Sequence, residues 1–207
     1  MNLLKANPIG SALMQEMGGK YAELSRLGYI YIARSGAAAA IPVNTTLTNS
    51  PTLWNPANSG KCLIPIMASF SAAALGTQII DGFTVSFLKD TGSTVATGQP
   101  LTTFANIPPK PALLSSIDPC KAQFANGTVT FTTQPAAILD LGMGQWVSGT
   151  AATGNPYNNH IFSFDGMITM CPGTLISIGA ATAATSGTYW TSIAFIEIPE
   201  KLYEGMY

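Results

Sequence analysis

Residues 81–90 read DGFTVSFLKD. Phe83, Val85 and Phe87 fall on one side of an extended chain, because successive side chains of a strand point to opposite faces. Asp81-Gly82 opens the run, and Lys89-Asp90-Thr91-Gly92 closes it as a turn. The pattern is that of a half-buried β-strand, and it recurs on both sides. Downstream, Val129 and Phe131 alternate with threonines over residues 128–133, after an Asn126-Gly127 turn. Residues 161–170, IFSFDGMITM, read as a strand with a glycine kink. Thr174 to Ile178 follows a Pro172-Gly173 turn, and Trp190 to Ile198, WTSIAFIEI, runs up to Pro199. Upstream, Lys61 to Phe70 is apolar but contains Pro65, which predicts an edge strand or a bulge. Gly28 to Arg34, GYIYIAR, alternates as another strand.

The chain thus holds seven or eight short strands rich in Thr, Val, Ile and Phe, separated by Gly, Pro and Asn loops. No alternation of strand and helix is visible. The expected fold is all-β, an antiparallel sandwich of the jelly-roll kind. The stretches 98–125 and 142–160 are long, rich in Pro or Gly, and irregular. Loops of that kind usually carry contacts or function. Residues 49–60 are dense in turn formers.

Composition is the second strong signal. Of 207 residues, 47% are hydrophobic and only 9% charged, against roughly 25% charged in an average domain. The first 34 residues hold six charges, Ser35 to Ile196 only nine, and the last eleven hold four. The chain therefore divides into an N-terminal docking arm (1–34), a sandwich body (35–199) and a short tail (200–207). In the arm, Ser11 to Leu27 is helical in short pieces, with Ser11 as an N-cap and Gly18-Gly19 as a break. Leu3, Leu4, Leu13, Met14, Met17, Tyr21 and Leu24 are its partner-binding residues. A body so short of charge must cover its surface with Ser, Thr, Asn, Gly and Ala, or hide it against other chains.

Other functions lack their chemistry. Net charge is −1 with no basic run, so phosphate neutralisation, and with it nucleic-acid binding, is not expected. No apolar stretch approaches the roughly 20 residues of a membrane span, and the N-terminus does not read as a signal peptide. Cys62, Cys120 and Cys171 are odd in number and widely spaced. They read as buried free thiols of a protein made in a cytoplasm. The single histidine, His160, cannot build a His-rich metal site, and no GxSxG elbow accompanies it. Asp81, Asp90 and Asp118 read as turn or capping residues. Asp140 and Asp165 are the one carboxylate pair that could meet across a cleft. Gly142-Met143-Gly144 lacks the residues of a phosphate loop. No enzyme, metal or cofactor is expected. Trp54, Trp146, Tyr157, Tyr189 and Trp190 sit in or beside loops, where aromatics serve a core, an interface or a sugar.

Three stretches carry a family resemblance: Trp54 to Lys61 (WNPANSGK) running into CLIPIMASF, Cys171 to Ile178 (CPGTLISI), and Tyr189 to Pro199 (YWTSIAFIEIP). In arrangement they resemble the jelly-roll virion proteins of tailed bacteriophages. The resemblance implies a homotrimeric capsid decoration, or cement, protein. It would sit in the virion, be made in the host cytoplasm, and dock on a capsid shell through its arm. A glycan-binding receptor head, a tail or fibre component, and the main capsid protein of a small virus are the alternatives.

Overall fold

The computed structural model describes residues 21–41, 51–74, 83–89, 101–126, 129–131, 135–141, 159–180 and 188–204. In chain order the elements are α1 (Ala22–Arg26), β1 (Ile30–Arg34), β2 (Thr52–Asn55), β3 (Lys61–Ala74), β4 (Phe83–Lys89), β5 (Leu101–Phe104), β6 (Lys110–Pro111), β7 (Gln123–Ala125), β8 (Val129–Phe131), β9 (Ala136–Leu141), β10 (Asn159–Ser163), β11 (Thr174–Ala180), β12 (Thr188–Pro199) and α2 (Glu200–Glu204). Ten strands form two five-stranded antiparallel sheets. Sheet A has the order β10-β3-β12-β1-β6, sheet B the order β7-β2-β11-β4-β9, and β5 and β8 make a separate ribbon.

The sheets face each other across one core. Sheet A contributes Tyr31, Ala33, Leu63, Ala68, Phe70, Tyr189, Ile193 and Phe195. Sheet B contributes Leu53, Phe83, Val85, Phe124, Leu141, Ile176 and Ile178. Phe70 stacks on Phe83 across the gap at 4.6 Å between ring centroids, and Tyr189 meets Phe83 edge-on at 6.4 Å. Phe83 and Val85 thus occupy the inner face that the alternation of residues 83–87 predicts. Burial of each such ring contributes roughly 2–3 kcal/mol.

Both outer faces are partly covered as well. On sheet B, the β5–β8 ribbon packs Phe104, Val129 and Phe131 over Trp54 and Leu175. Val129 and Phe131 therefore belong to this second cluster and not to the main core. On sheet A, α1 lays Tyr21 and Leu24 against Ile30, Cys62, Ile66, Ile196 and Ile198. The helix ends in a Schellman motif: Tyr29 N–H donates to Leu24 C=O and Gly28 N–H to Ser25 C=O, both at 2.9 Å. Gly28 has φ +77°, the left-handed conformation this cap requires. The chain then enters β1, which lies between β12 and β6. Ile30–Arg34, assigned to the arm by the charge distribution, is thus a strand inside sheet A.

Of three further details, the bulge at Pro65 meets the sequence expectation and the other two differ from it, each for a local reason. Pro65 lies in β3, an interior strand, at a register shift opposite Ala194 and Phe195. Leu63 N–H donates to Met170 on the β10 side. The donor that Pro65 lacks would point the same way two residues later, short of the β10 pairing that starts at Met67. The Asp165-Gly166 pair is a reversal, not a kink. Asp165 has φ 46° and Gly166 φ 83°, and Met167 N–H returns to Phe164 C=O at 2.8 Å. Positive φ at both central residues is the requirement of a type I′ turn, which Asp-Gly satisfies. The irregular stretch 98–125 supplies β5, β6 and β7, of four, two and three residues, too short for a period to show.

Phe83→Ala is expected to lower the unfolding free energy by roughly 3–5 kcal/mol, as a cavity-forming core change. At Gly28 a Cβ would meet nothing within 4 Å, so Gly28→Ala should cost only the φ strain, about 1–2 kcal/mol. Urea denaturation of the two variants against the parent measures both.

Candidate functional site

The residues considered for catalysis do not come together. His160 lies on the inner side of β10, against Phe83 at 5.5 Å and Phe162 at 6.2 Å. Burial lowers its pKa, which keeps the imidazole neutral at pH 7. Asp140 accepts a hydrogen bond from Thr84 Oγ1 at 3.0 Å on the outer face of sheet B. Asp165 accepts one from the Tyr21 hydroxyl at 2.8 Å on the opposite side of the sandwich. The two carboxylates therefore share no cleft. Among the described residues no group of three or more His, Cys, Asp and Glu side chains is placed to hold a metal, and no helix is long and apolar enough to cross a membrane.

The aromatic candidates scatter. Trp54 and Tyr189 are core residues, exposed by 5% and 1%. Burial pushes the Tyr189 phenol up to about 12. Trp190 is half-buried on the outer face of sheet A, with the Arg34 guanidinium 5.1 Å from its ring centre. Trp146 and Tyr157 lie outside the described residues, as do Leu3, Leu4, Leu13, Met14 and Met17 of the arm. Tyr21 and Leu24 pack on the chain's own sheet.

The structure instead presents two surfaces. The first is the part of the sheet A outer face that α1 leaves uncovered. Along β12 the outward side chains pass from half-buried Trp190, Ser192 and Ala194 to buried Ile196 and Ile198, where the helix lies. Register places Ser71, Ser69 and Met67 of β3 beside the first three, Ile161 of β10 beyond Ser69, and Ile32 and Arg34 of β1 on the other side. This surface mixes Ser and Ala with the larger Met67, Trp190, Ile32 and Ile161, and carries two charges, on Arg34 and on Lys110 of β6 beside Ile32. Ile32 and Ile161 stand 43% and 70% exposed upon it.

The second is the loop from Ala112 to Lys121, which leaves the β6 edge of sheet A. Its tip holds Leu114 at 94% exposure and Ile117 at 95%. Both ends of the loop are fastened. Ala112 N–H donates to Ile30 C=O at 2.8 Å, and a turn closes from Ser116 N–H to Leu113 C=O. At the far end Glu197 Oε2, on the inner side of β12, accepts from the Cys120 thiol at 3.0 Å and from the N–H groups of Lys121 and Ala122 at 2.9 and 3.0 Å. Burial, and then the Glu197 carboxylate, raise the Cys120 pKa far above the usual thiol range. The thiol thus stays protonated and acts as a donor, not as a nucleophile. Burial and Glu197 also push Tyr31 up to about 12. Sequence reading marked the stretch 98–125 that holds this loop, but did not single out Leu114 or Ile117. Its signal was apolar side chains between Pro111 and Pro119 with neither strand nor helix period, where an apolar residue has no core to serve.

The thiols are not equivalent. Cys62 is buried, Cys120 half-buried and Cys171 exposed, which corrects the expectation of three buried thiols. Cys171 should react within minutes with a maleimide under native conditions, while Cys62 and Cys120 should label only on unfolding. Mass spectrometry of the labelled peptides reads this directly. Glu197→Ala orphans the buried N–H of Ala122 and the part-buried N–H of Lys121 and should cost roughly 1–3 kcal/mol. In that variant Cys120 should label before global unfolding, because its end of the loop comes free. Comparison of the chain with protein-family models, with curated proteins and with solved structures finds no match.

Proposed function

We propose that this chain is a non-enzymatic structural protein. It self-associates, as a trimer, and cements other protein subunits in a virion as a capsid decoration protein does. The single observation behind this reading is the part of the outer face of sheet A that α1 leaves open, where Ile32 and Ile161 stand exposed and the charges are Arg34 and Lys110. Charge depletion around apolar side chains is the mark of an interface core. A chain with 9% charged residues and net charge −1 has little electrostatic repulsion to keep copies apart.

The finer fold is proposed to be a jelly roll. Strands β1 to β4 alternate between the sheets, and the order β1-β12-β3-β10 faces β2-β11-β4-β9. That is the order made by winding one long antiparallel ribbon of four strand pairs around a barrel axis, with two Greek keys. On this reading residues 90–135 are an insertion between β4 and β9. It adds β6 to one sheet, β7 to the other and the β5–β8 ribbon on top. Such a shell of strands, with loops at its ends, suits a building block better than a catalyst. The arm residues Leu3, Leu4, Leu13, Met14 and Met17 are assigned to the shell contact, since Tyr21 and Leu24 are engaged with their own sheet. Among the described members of the aromatic set, Trp190 offers a partly exposed ring, with the Arg34 guanidinium over it.

Light scattering on the purified chain should give three times 21.6 kDa, about 65 kDa. A single-chain species at milligram-per-millilitre concentration would refute self-association. Deleting residues 1–20 should leave the trimer intact while abolishing attachment to particles. Full occupancy by the truncated chain would remove the arm from the mechanism.

A further inference from the structure

Two of the three cysteines face each other across a strand pair. Leu63 of β3 and Met170 form an antiparallel bridge. Leu63 N–H donates to Met170 C=O at 2.9 Å, and Met170 N–H donates to Leu63 C=O at 2.8 Å. Both side chains lie in the core between the sheets. Their neighbours Cys62 and Cys171 are therefore directed to the outer face, because successive side chains alternate. Register also sets the two cysteines opposite each other. A pair next to a mutually bonded one is of the non-hydrogen-bonded kind, whose Cα atoms approach to about 4.5 Å. A disulfide spans roughly 4.4–6.8 Å between Cα atoms.

A second set of contacts holds this register. Pro172 has no N–H to offer Lys61 C=O, the next acceptor along the ladder. The Asn55 side chain takes its place. Asn55 Nδ2 donates to Lys61 C=O at 2.8 Å and to Met170 C=O at 3.0 Å. Those carbonyls belong to the peptide groups that lead into Cys62 and Cys171. Asn55 C=O accepts from Gly173 N–H at 2.8 Å, and Cys171 C=O accepts from Thr174 Oγ1 at 2.6 Å. Asn55 is fully buried, so one fixed residue clamps the backbone of both cysteines. Cys171 is exposed, while Cys62 is 1% exposed, in the cluster under α1. Cys120 is engaged elsewhere, with Glu197.

We propose that Cys62 and Cys171 are a redox pair, which closes to a disulfide within one chain on meeting a small-molecule disulfide such as oxidised glutathione. Cys171 Sγ, as thiolate, attacks one sulfur of that molecule. Its S–S bond breaks, a mixed disulfide forms on Cys171, and one glutathione thiol leaves. Cys62 Sγ then attacks the Cys171 sulfur and expels the second glutathione thiol. Two electrons pass from the cysteine pair to the small molecule, and the two cysteine protons end on the two glutathione thiols. Only Cys171 has to meet the reagent, so burial of Cys62 is no obstacle. A reducing cytoplasm keeps the pair open, and an oxidising medium closes it. The closed bond fastens β3 of sheet A to the turn that enters β11 of sheet B, and it encloses more than half of the 207 residues. A loop that long gives a large stabilisation of the folded state. The pair lies within one chain and does not depend on self-association.

The test uses the full chain, first reduced, then held folded in oxidised glutathione, and digested under non-reducing conditions. Mass spectrometry is expected to find one linked peptide pair, Cys62 with Cys171, and Cys120 still a thiol. The melting temperature should rise by roughly 10 °C on oxidation, and the rise should vanish in Cys171→Ser, an exposed change whose fold circular dichroism checks. Cys62→Ala should stop at the mixed disulfide and retain one glutathione on Cys171. The proposal is overturned if the parent keeps both thiols, retains glutathione on Cys171, links Cys171 to a second copy, or pairs either residue with Cys120. The peptide map of the parent decides this even if Cys62→Ala disturbs the packing under α1.

Discussion

Everything in the body hangs on the contact between Phe70 and Phe83, which stack face to face between sheets A and B. Phe70 belongs to β3, and Phe83 opens β4. Phe162, His160 and Tyr189 gather around the pair. One aromatic cluster thereby couples β3, β4, β10 and β12, drawn from four separate parts of the chain. Aromatic pairs add about 0.5–1.5 kcal/mol beyond their area. Their greater effect here is geometric, since the stack sets how the sheets face each other and hence which side chains turn outward.

Burial on both sides of the central strands follows from that arrangement. All seven residues of β11 are buried, because sheet B has the core beneath and the β5–β8 ribbon above. In β12 the helix covers only one end. The remainder, over which no layer lies among the described residues, is the candidate interface. The loop carrying Leu114 and Ile117 extends the same logic. Its exposed tip depends on a buried carboxylate, since Glu197 spends one oxygen on a thiol and two backbone amides at the loop's end. Glu197 follows Ile193 and Phe195 on the inward row of β12, and a buried acid is tolerated only where such donors meet it.

Much of the architecture was readable in advance. Strands β1, β4 and β8 fall within stretches whose alternation marks them, and β3, β10, β11 and β12 overlap such stretches but run past their ends. Where reading failed, the cause was length or direction. The strands β5, β6 and β7 are too short for a period. Asp165-Gly166 has the composition of a kink and of a hairpin turn alike, and only φ separates them. Pro65 obeyed the rule for bulges inside an interior strand, because its missing donor falls where no neighbour is paired. The interaction surface was read least well. Tyr21 and Leu24 were picked for a partner and proved to serve their own sheet, while Trp54 and Tyr189 proved to be core.

Sequence by itself determined the class of this protein: antiparallel strands and a body starved of charge. Period and composition are local properties, and neither needs a third dimension to be read. Tertiary structure alone decided which apolar residues are spent on the core and which stand free. Leu113 and Leu114 are neighbours of identical chemistry, yet one is half-buried and the other almost fully exposed. The difference comes from the path of the loop, which is held by a glutamate 76 residues away from Lys121. A contact between residues so distant in the chain leaves no trace in any short window of sequence.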